Sequence, residues 1–324
     1  MKNDSACPQC LAIAHGRRVK FKIFTIFFGL FFLLSFFQFA SAQVSGEGLT
    51  ISPPILELET KPGETYNQTI KITNPTNNLI EVYPQVMNFR ASGEGGEPAF
   101  YPATEEEAKF SLAQWIKFNQ SKVALTPNQV VEFNYSIEVP ADAEAGGHYG
   151  VIFFATQPPK AEENQNQISI SSMIGSLILA KIPGTIIEKG FLESFKANRI
   201  YLKLPATFEV RISNLGNVHF KPKGNITIKG MFGIDDKIIV NQAKGNVLPD
   251  SIRKFEEKWQ PQKIIIGRYT ADLRVVYGES EKTLDGQIVF WVLPLWFLLA
   301  LGGLIISIVV LILYLKRRKA RRYY

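Results

Sequence analysis

The feature that most constrains this chain is an uncharged stretch near its C-terminal end. No charged residue occurs from Ile288 to Leu315. About 20 apolar residues in a helix, at about 1.5 Å per residue, cross the hydrocarbon core of a bilayer. The basic residues that follow at once mark the cytoplasmic side of such a helix. We therefore predict a transmembrane helix over residues 290–315 and a basic cytoplasmic tail over residues 316–324, with the preceding chain outside the membrane.

The N-terminal region has the pattern of a secretory signal peptide. Basic residues between Arg17 and Lys22 precede an apolar run from Phe24 to Phe37, and the small residues Ala40-Ser41-Ala42 follow. We predict a signal peptide over residues 1–42, recognised at Ala40 and Ala42, with Gln43 as the first mature residue. Signal peptides seldom carry a leader like residues 1–18, so translation is expected to start near Val19.

Cysteine content and charge narrow the classes of function. The two cysteines, Cys7 and Cys10, both lie in the predicted signal region. The mature chain is therefore expected to have no disulfide and no cysteine-based metal site. The net charge of +7 is carried by the two ends of the chain, and the residues between them are mildly acidic. This distribution gives no electrostatic footprint for nucleic acid, so no nucleic-acid partner is expected.

Alternation of apolar and polar residues dominates the region between the two ends. The clearest alternating segments are residues 70–73, 131–139, 208–212 and 269–277. Period two is typical of strands with one buried face, and turn sequences such as Lys61-Pro62-Gly63-Glu64 separate these segments. The pattern predicts an all-β fold, with two tandem immunoglobulin-like β-sandwiches over residues 43–190 and 191–289.

Two segments depart from this pattern. Residues 104–116 predict a short helix, because Thr104 and Glu107 fit a capping box and the apolar residues that follow share one face. Residues 157–167 are interpreted as a mobile hairpin loop, because the strand-like residues 168–187 need a strand to pair with. A domain boundary at residues 157–167 is the alternative interpretation.

The two predicted sandwiches also resemble each other in sequence. The first pair of matching segments is 72–77 and 212–217, the second is 125–133 and 247–255, and the third is 147–149 and 267–269. The three matches occur in the same order in both halves, which indicates related domains.

The order of these features resembles a known family. It runs from the signal peptide through Ile51-Ser52-Pro53-Pro54, Lys61-Pro62-Gly63-Glu64, Ile72-Thr73-Asn74, Trp115-Ile116, Leu125-Thr126-Pro127, Val139-Pro140 and Gly146–Phe153, then Leu248-Pro249, Gly267-Arg268-Tyr269, the helix and the basic tail. This order is similar to that of the WxL-interacting cell-surface proteins of Gram-positive bacteria. The resemblance implies a first domain that binds peptidoglycan and a second that binds a WxL-type surface protein. It assigns no ligand-binding residue in this chain.

No residue pattern indicates an active site, a metal site or a bound cofactor. His148 and His219 lack the neighbours of a metal or catalytic site and are expected to be structural or solvated. Gly93-Glu94-Gly95-Gly96 opens no helix and is interpreted as a flexible loop. Asp235-Asp236 is expected to form a hairpin turn, with weak calcium binding as the alternative.

The tryptophans are divided between core and membrane. Trp115 and Trp259 are expected in the cores of the sandwiches, although stacking on sugars is an alternative. Trp291 and Trp296 are expected at the membrane interface. Almost no linker separates the last strand from the helix, with Pro294 at the break, so the second sandwich is expected close to the bilayer.

Together these features indicate a non-enzymatic surface protein, held by one membrane span, that binds cell-wall polymer, a surface protein or both. The alternative is a scaffold or chaperone-like subunit of a pilus or secretion assembly, which would use an exposed edge strand. A hydrolase with an unrecognised site is a third possibility.

Overall fold

Strands account for most of the structure, as the alternating pattern predicts. The computed structural model describes residues 48–104, 109–158, 172–231, 235–262 and 265–320. From Gly48 onward the chain forms one compact unit. The predicted signal peptide, its cleavage residues Ala40, Ala42 and Gln43, and the expected start near Val19 lie outside the described residues. The prediction of a mainly β fold followed by one apolar helix is confirmed.

Residues 50–182 form two facing sheets, which we name the first sandwich. Its strands are β1 (Thr50–Ser52), β2 (Ile55–Glu59), β3 (Thr65–Thr73), β4 (Ile80–Ser92), β5 (Glu97–Tyr101), β6 (Ile116–Lys117), β7 (Val123–Leu125), β8 (Val130–Glu138), β9 (Gly146–Ala155) and β10 (Met173–Ile182). One sheet has the order β1-β3-β8-β6, and the other β2-β10-β9-β4-β5, with β7 paired to the start of β4. Between β1 and β2 the chain changes sheets at Pro53 and Pro54, which have no N–H to continue a ladder.

One apolar cluster fills the space between these two sheets. Ile70 of β3 and Phe133 of β8 contribute from one sheet, and Ile152 of β9 and Ile178 of β10 contribute from the other. These four side chains are fully buried. Burial at every second residue of β3 and β8 follows the period-two pattern of the sequence.

The two continuous apolar segments of the first sandwich are β9 and β10, which lie inside the sheet with a strand on each side. They pair antiparallel from Ala155 with Met173 to Gly146 with Ile182. The predicted hairpin is therefore confirmed. Most of its connecting loop, residues 159–171, lies outside the described residues.

Residues 190–292 form two further facing sheets, which we name the second sandwich. Its strands are β11 (Gly190–Ala197), β12 (Ile200–Tyr201), β13 (Ala206–Asn214), β14 (Lys223–Gly230), β15 (Asp235–Val240), β16 (Ser251–Trp259), β17 (Gly267–Tyr277) and β18 (Lys282–Val292). The sheet orders are β11-β13-β16 and β12-β18-β17-β14-β15. Phe208 and Trp259 from one sheet pack on Tyr269 and Phe290 from the other, with ring centroids 5.4–5.8 Å apart for three of the contacting pairs.

The helix predicted over residues 104–116 is much shorter in the structure. Residues 105–108 lie outside the described residues, and the helix α1 spans only Leu112–Trp115. The start is fixed by a buried contact, because the Asn88 amide donates to Ser111 Oγ at 2.8 Å and its Oδ1 accepts from the N–H of Ala113 at 3.0 Å. The side chain that binds the start of the helix therefore comes from β4 and not from the predicted capping box.

The C-terminal helix α2 spans Leu295–Ala320. Residues 295–318 are long and apolar enough to cross a membrane, and none of the best 18-residue window is buried against the rest of the protein. The predicted start at residue 290 is wrong, because Phe290 and Val292 belong to β18 and are buried in the second sandwich. The break falls at Pro294, as expected, and the helix continues through the first basic residues of the predicted tail.

The sequence repeat corresponds to a repeated hydrogen-bond network. The Asn74 amide donates to the carbonyl of Asn78 at 2.7 Å and to that of Leu125 at 3.0 Å. The Asn214 amide donates to the carbonyls of Val218 at 2.8 Å and Val247 at 2.9 Å. Each donor thus binds the carbonyl four residues ahead and the carbonyl of the second repeat segment. Both asparagines are fully buried.

We predict that Asn214→Ala destabilises the protein by about 3 kcal/mol, because it leaves the Val218 carbonyl without its donor and the Gly216 N–H without its acceptor. Urea unfolding followed by tryptophan fluorescence measures the loss. The matched control is Asn119→Ala at an exposed loop position, which should change stability by less than about 0.5 kcal/mol. Equal effects of the two substitutions would show that the buried network contributes little.

Candidate binding site

One open strand edge of the first sandwich lies at the start of β10. β10 pairs with β9 along its whole length. On its other side, β2 pairs only with Leu177–Lys181. Among the described residues, no strand pairs with Met173–Ser176 on that side.

The direction of the backbone groups shows which of them are available at this edge. Leu177 N–H donates to the carbonyl of Pro54 and the Lys181 carbonyl accepts from Thr60 N–H, both at 2.9 Å on the β2 side. In an extended strand, residues two apart point to the same side. The N–H and C=O groups of Met173 and Gly175 therefore point to the side away from β9. Ser176 is fully buried and its Oγ donates to the Pro53 carbonyl at 2.7 Å, so the edge that another strand can reach is Met173–Gly175.

An apolar face lies beside this edge. Met173 is 56% exposed. A Cβ on Gly175 would lie 2.7 Å from the ring of Phe153, so Phe153 lies directly over that glycine. Phe100 of β5 packs edge-to-face on Phe153 with the centroids 4.7 Å apart and is itself exposed. A strand added at Met173–Gly175 would lie beside Met173 and the ring of Phe153, against which Phe100 packs from the far side.

Further along β10, the same face forms the floor of a cavity of about 470 Å³ between the two sandwiches. Leu177, Leu179 and Phe89 come from the first sandwich, and Leu248 and Arg253 come from the second. The remaining lining residues are Ile55, Glu57, Ala91, Gly93, Gly96, Glu97, Pro98, Lys221, Ala243, Lys244, Gly245, Asn246, Ser251 and Ile252. The cavity is therefore apolar at its floor and charged at its rim.

One ion pair closes the rim of the cavity between the sandwiches. Lys221 Nζ lies 2.5 Å from Glu57 Oε2, and the Asn246 amide donates to Glu57 Oε1 at 2.7 Å. Burial alone would raise the pKa of Glu57, but the hydrogen bonds from Lys221 and Asn246 outweigh it and hold this pKa below its ordinary value. Glu57 therefore remains a charged link between β2 and the second sandwich.

The glycine-rich segment 93–96 forms the second connection between the two sandwiches. Its interpretation as a flexible loop is wrong. It forms the turn of the β4–β5 hairpin. Glu94 accepts hydrogen bonds from Arg211 Nε at 2.7 Å and from Arg211 Nη2, and the Glu94 carbonyl accepts from Lys254 N–H at 2.8 Å. The turn of the β4–β5 hairpin in the first sandwich therefore binds β13 and β16 of the second sandwich.

The glycines of this turn allow close packing. A Cβ on Gly96 would lie 2.3 Å from Cζ of Arg253, and one on Gly245 would lie 2.5 Å from its Nη2. The guanidinium of Arg253 thus lies between two glycines, one from each sandwich. Its Nη1 donates to the carbonyl of Asn246 at 2.7 Å.

A third connection joins β9 to the loop that precedes β14. The Tyr149 hydroxyl accepts from His219 N–H at 3.0 Å and lies 3.2 Å from His219 Nδ1. Gly147 N–H donates to the carbonyl of Asn217 at 2.8 Å. Burial lowers the pKa of His219 to about 4.

The other candidate residues of the sequence have structural positions. Trp115 and Trp259 are both buried, as predicted for core residues. His148 is buried in β9, and its ring nitrogens lie 3.0 Å and 2.8 Å from two backbone carbonyls. Asp235 and Asp236 form the start of β15 and not the predicted turn. The Asp236 carboxylate accepts from Trp259 Nε1 at 2.7 Å.

Sequence reasoning did not identify Met173 or Glu94 as site residues. For Met173, the only signal in the sequence was a methionine at the start of an apolar strand. For Glu94, the available signal was a single carboxylate among three glycines. Neither signal names the partner of the residue, because Arg211 is far away in the chain.

Comparisons with known proteins give only distant similarities. No family model matches the chain, and no curated protein matches it. Among solved structures, the class 5 fimbriae chaperone CfaA is 14% identical, with a TM-score of 0.36, over 76% of this chain and 100% of that chain. The CupB2 chaperone of Pseudomonas aeruginosa is 10% identical, with a TM-score of 0.34, over 72% and 97%. A PapD-like domain of human CEP192 is 11% identical, with a TM-score of 0.29, over 42% and 86%.

We predict that His219 makes the folded protein less stable as the pH falls from about 6.5 toward 4. An unfolded histidine binds a proton near pH 6.5, whereas folded His219 does not until about pH 4. Nearby Lys221 and Lys181 also lower the pKa, and Glu57 opposes them. Urea unfolding of the wild type and of His219→Asn, at pH 7, 6, 5 and 4.5, measures the effect. As the pH falls, the unfolding free energy of the wild type should decrease more than that of His219→Asn. A constant difference would contradict the prediction.

Proposed function

We propose that this chain is a non-enzymatic binding protein, held at a membrane by α2, that pairs an extended segment of a protein partner with the open edge of β10. The observation that carries the proposal is the side of Met173–Gly175 with which no strand pairs among the described residues. A strand edge of this kind supplies main-chain hydrogen bonds to a partner strand, and the adjoining side chains supply specificity.

The composition of the edge supports its use in binding. Folded proteins usually protect free edges with lysine, proline, bulges or a covering segment. Residues 173–176 are Met, Ile, Gly and Ser, with neither a charge nor a proline. The ladder between β9 and β10 has no register shift here, so the edge is regular enough for another strand to continue the sheet.

The face beside the edge supports a protein rather than a sugar as the partner. Alternate side chains of an added strand would contact Met173 and the edge of the Phe153 ring, which Phe100 extends as an apolar surface. The two tryptophans considered for sugar stacking, Trp115 and Trp259, are buried in the sandwiches. This arrangement favours the scaffold or chaperone-like alternative over wall-polymer binding, and a WxL-type surface protein is one candidate partner.

The proposed topology follows from the ends of the chain. We infer two tandem immunoglobulin-like domains, over residues 43–190 and 191–289, outside a single membrane span with the basic tail in the cytoplasm. The separate buried clusters of the two sandwiches support the division. The basic residues after Leu315 support the orientation. The first sandwich would then be the outer one, with the β10 edge facing partners beyond the membrane.

We predict that Met173→Lys abolishes partner binding, because it places a charge at the edge and in the apolar face. A photo-crosslinking amino acid at Phe100, introduced in cells that carry the protein, measures binding as a protein adduct that mass spectrometry identifies. The matched control is Ile239→Lys, which changes an exposed apolar residue of another edge strand, β15.

The expected result is one protein adduct at Phe100, lost in Met173→Lys and retained in Ile239→Lys. A second variant, Met173→Pro, removes the N–H that points to the open side without introducing a charge and should also lose the adduct. An adduct that wall-degrading enzymes release as glycan would establish wall-polymer binding instead. Retention of the adduct in both Met173 variants would overturn the proposed edge.

A further inference from the structure

Exposed apolar side chains surround the end of the second sandwich from which α2 leaves. They belong to separate elements: Ile200 to β12, Leu202 to the loop that follows it, Trp291 to β18 and Trp296 to α2. Met231, directly after β14, is 69% exposed. These residues come from three separate parts of the sequence, near 200, 231 and 291–296, so their collection at one end is a property of the fold.

The strand register places these residues at similar heights. Ile200 pairs with Trp291. Gly230 pairs with Tyr269, which pairs with Phe290, so Met231 lies one residue further, level with Trp291. Leu293 N–H donates to the carbonyl of Tyr201 at 2.9 Å, which holds the Leu202 loop beside the start of the helix.

The helix sets the distance of this end from the lipid. Its uncharged part runs from Leu295 to Leu315, and at about 1.5 Å per residue this length matches the roughly 30 Å hydrocarbon core of a bilayer. Leu295 therefore lies at the boundary of the hydrocarbon, with Trp296 beside it. The headgroup layer adds only about 5–7 Å on each side. Leu202 is level with Leu293, about 7 Å from Leu295 and so at the outer limit of this layer, and Trp291 lies beyond it.

A groove between the sandwich and the helix continues this apolar surface. It has a volume of about 270 Å³, and Leu202, Leu204, Ile265, Val292, Pro294 and Trp296 form most of its wall. Since the groove begins at the first turn of α2, it opens at the same depth as the glycerol region of the lipid.

The charges at this end suit a lipid headgroup surface. Arg199, Lys203 and Arg268 are exposed there. The acidic residues of the described part at this end are Asp235 and Asp236, and the Asp236 carboxylate accepts hydrogen bonds from Trp259 Nε1 and from the backbone N–H of Lys237. The balance is positive, which attracts anionic headgroups by about 1 kcal/mol per basic residue close to the surface.

We propose that the base of the second sandwich is a lipid-binding surface, in which Leu202 and Trp296 contact the headgroup layer of the membrane that α2 spans and Ile200, Met231 and Trp291 lie just beyond it. The inference rests on the membrane span of the proposed function and is independent of the β10 edge. Bound in this way, the sandwich has a fixed height above the bilayer.

Site-directed spin labelling of the full chain in lipid nanodiscs tests the proposal. The background carries Cys7→Ser and Cys10→Ser, and single labels are placed with Leu202→Cys, Leu215→Cys or Ile308→Cys. Leu215 is the matched control, because β13 runs from Ala206 to Asn214 and places the exposed Leu215 about 30 Å from Leu202 at the opposite end. Collision with oxygen, which concentrates in lipid, is compared with collision with a water-soluble nickel chelate.

The expected result is a several-fold higher ratio of oxygen to nickel collisions at residue 202 than at residue 215, with the highest ratio at residue 308. Equal ratios at 202 and 215, with residue 308 in lipid, would overturn the lipid-binding surface and leave the membrane span intact. A water-exposed residue 308 would overturn the span itself, and the lipid-binding surface with it.

Discussion

The bidentate contact between Glu94 and Arg211 is one of several polar contacts that join the two sandwiches. It holds the tip of the β4–β5 hairpin on β13, while Lys221 with Glu57 and Tyr149 with His219 fix two other points of the same junction. Each contact alone is modest, because partly exposed ion pairs contribute little. Three contacts at separate points leave little freedom for a hinge. The β10 edge on one sandwich and the helix on the other therefore keep a constant relation.

The open edge of β10 depends on the same geometry. β2 covers the second half of β10 because the chain changes sheets at Pro53 and Pro54, and β2 begins only at Ile55. An earlier crossing would have covered Met173–Ser176 as well. The outer face beyond this edge is apolar for a related reason, since part of it, at Leu179 and Phe89, contacts the second sandwich through Leu248. One continuous apolar face thus serves both the junction and the proposed partner.

The strands and the two related halves could be predicted from local sequence patterns. The contacts that join the two sandwiches could not. Alternation along β3, β8, β13 and β17 predicted the strands, and the repeat around Asn74 and Asn214 predicted two related halves, because these signals act within a few residues. The ion pair of Glu94 with Arg211 joins residues from different sandwiches, and no local pattern encodes it. Helix α1 is shorter than its sequence pattern because Asn88, on a distant strand, binds its first turn. The open edge was not visible either, since it depends on where β2 ends its pairing.

The short connection between β18 and α2 has a mechanical consequence. A load applied to the first sandwich by a bound partner passes through the junction into the second sandwich and leaves by β18 to the membrane helix. β18 is held by eleven paired positions with β17, from Lys282 to Val292. Antiparallel hydrogen bonds lie perpendicular to the strands, so a pull along β18 loads them together in shear rather than opening them one at a time. In the proposed topology, the arrangement is that of an anchor that resists tension while the β10 edge stays at a set distance from the membrane.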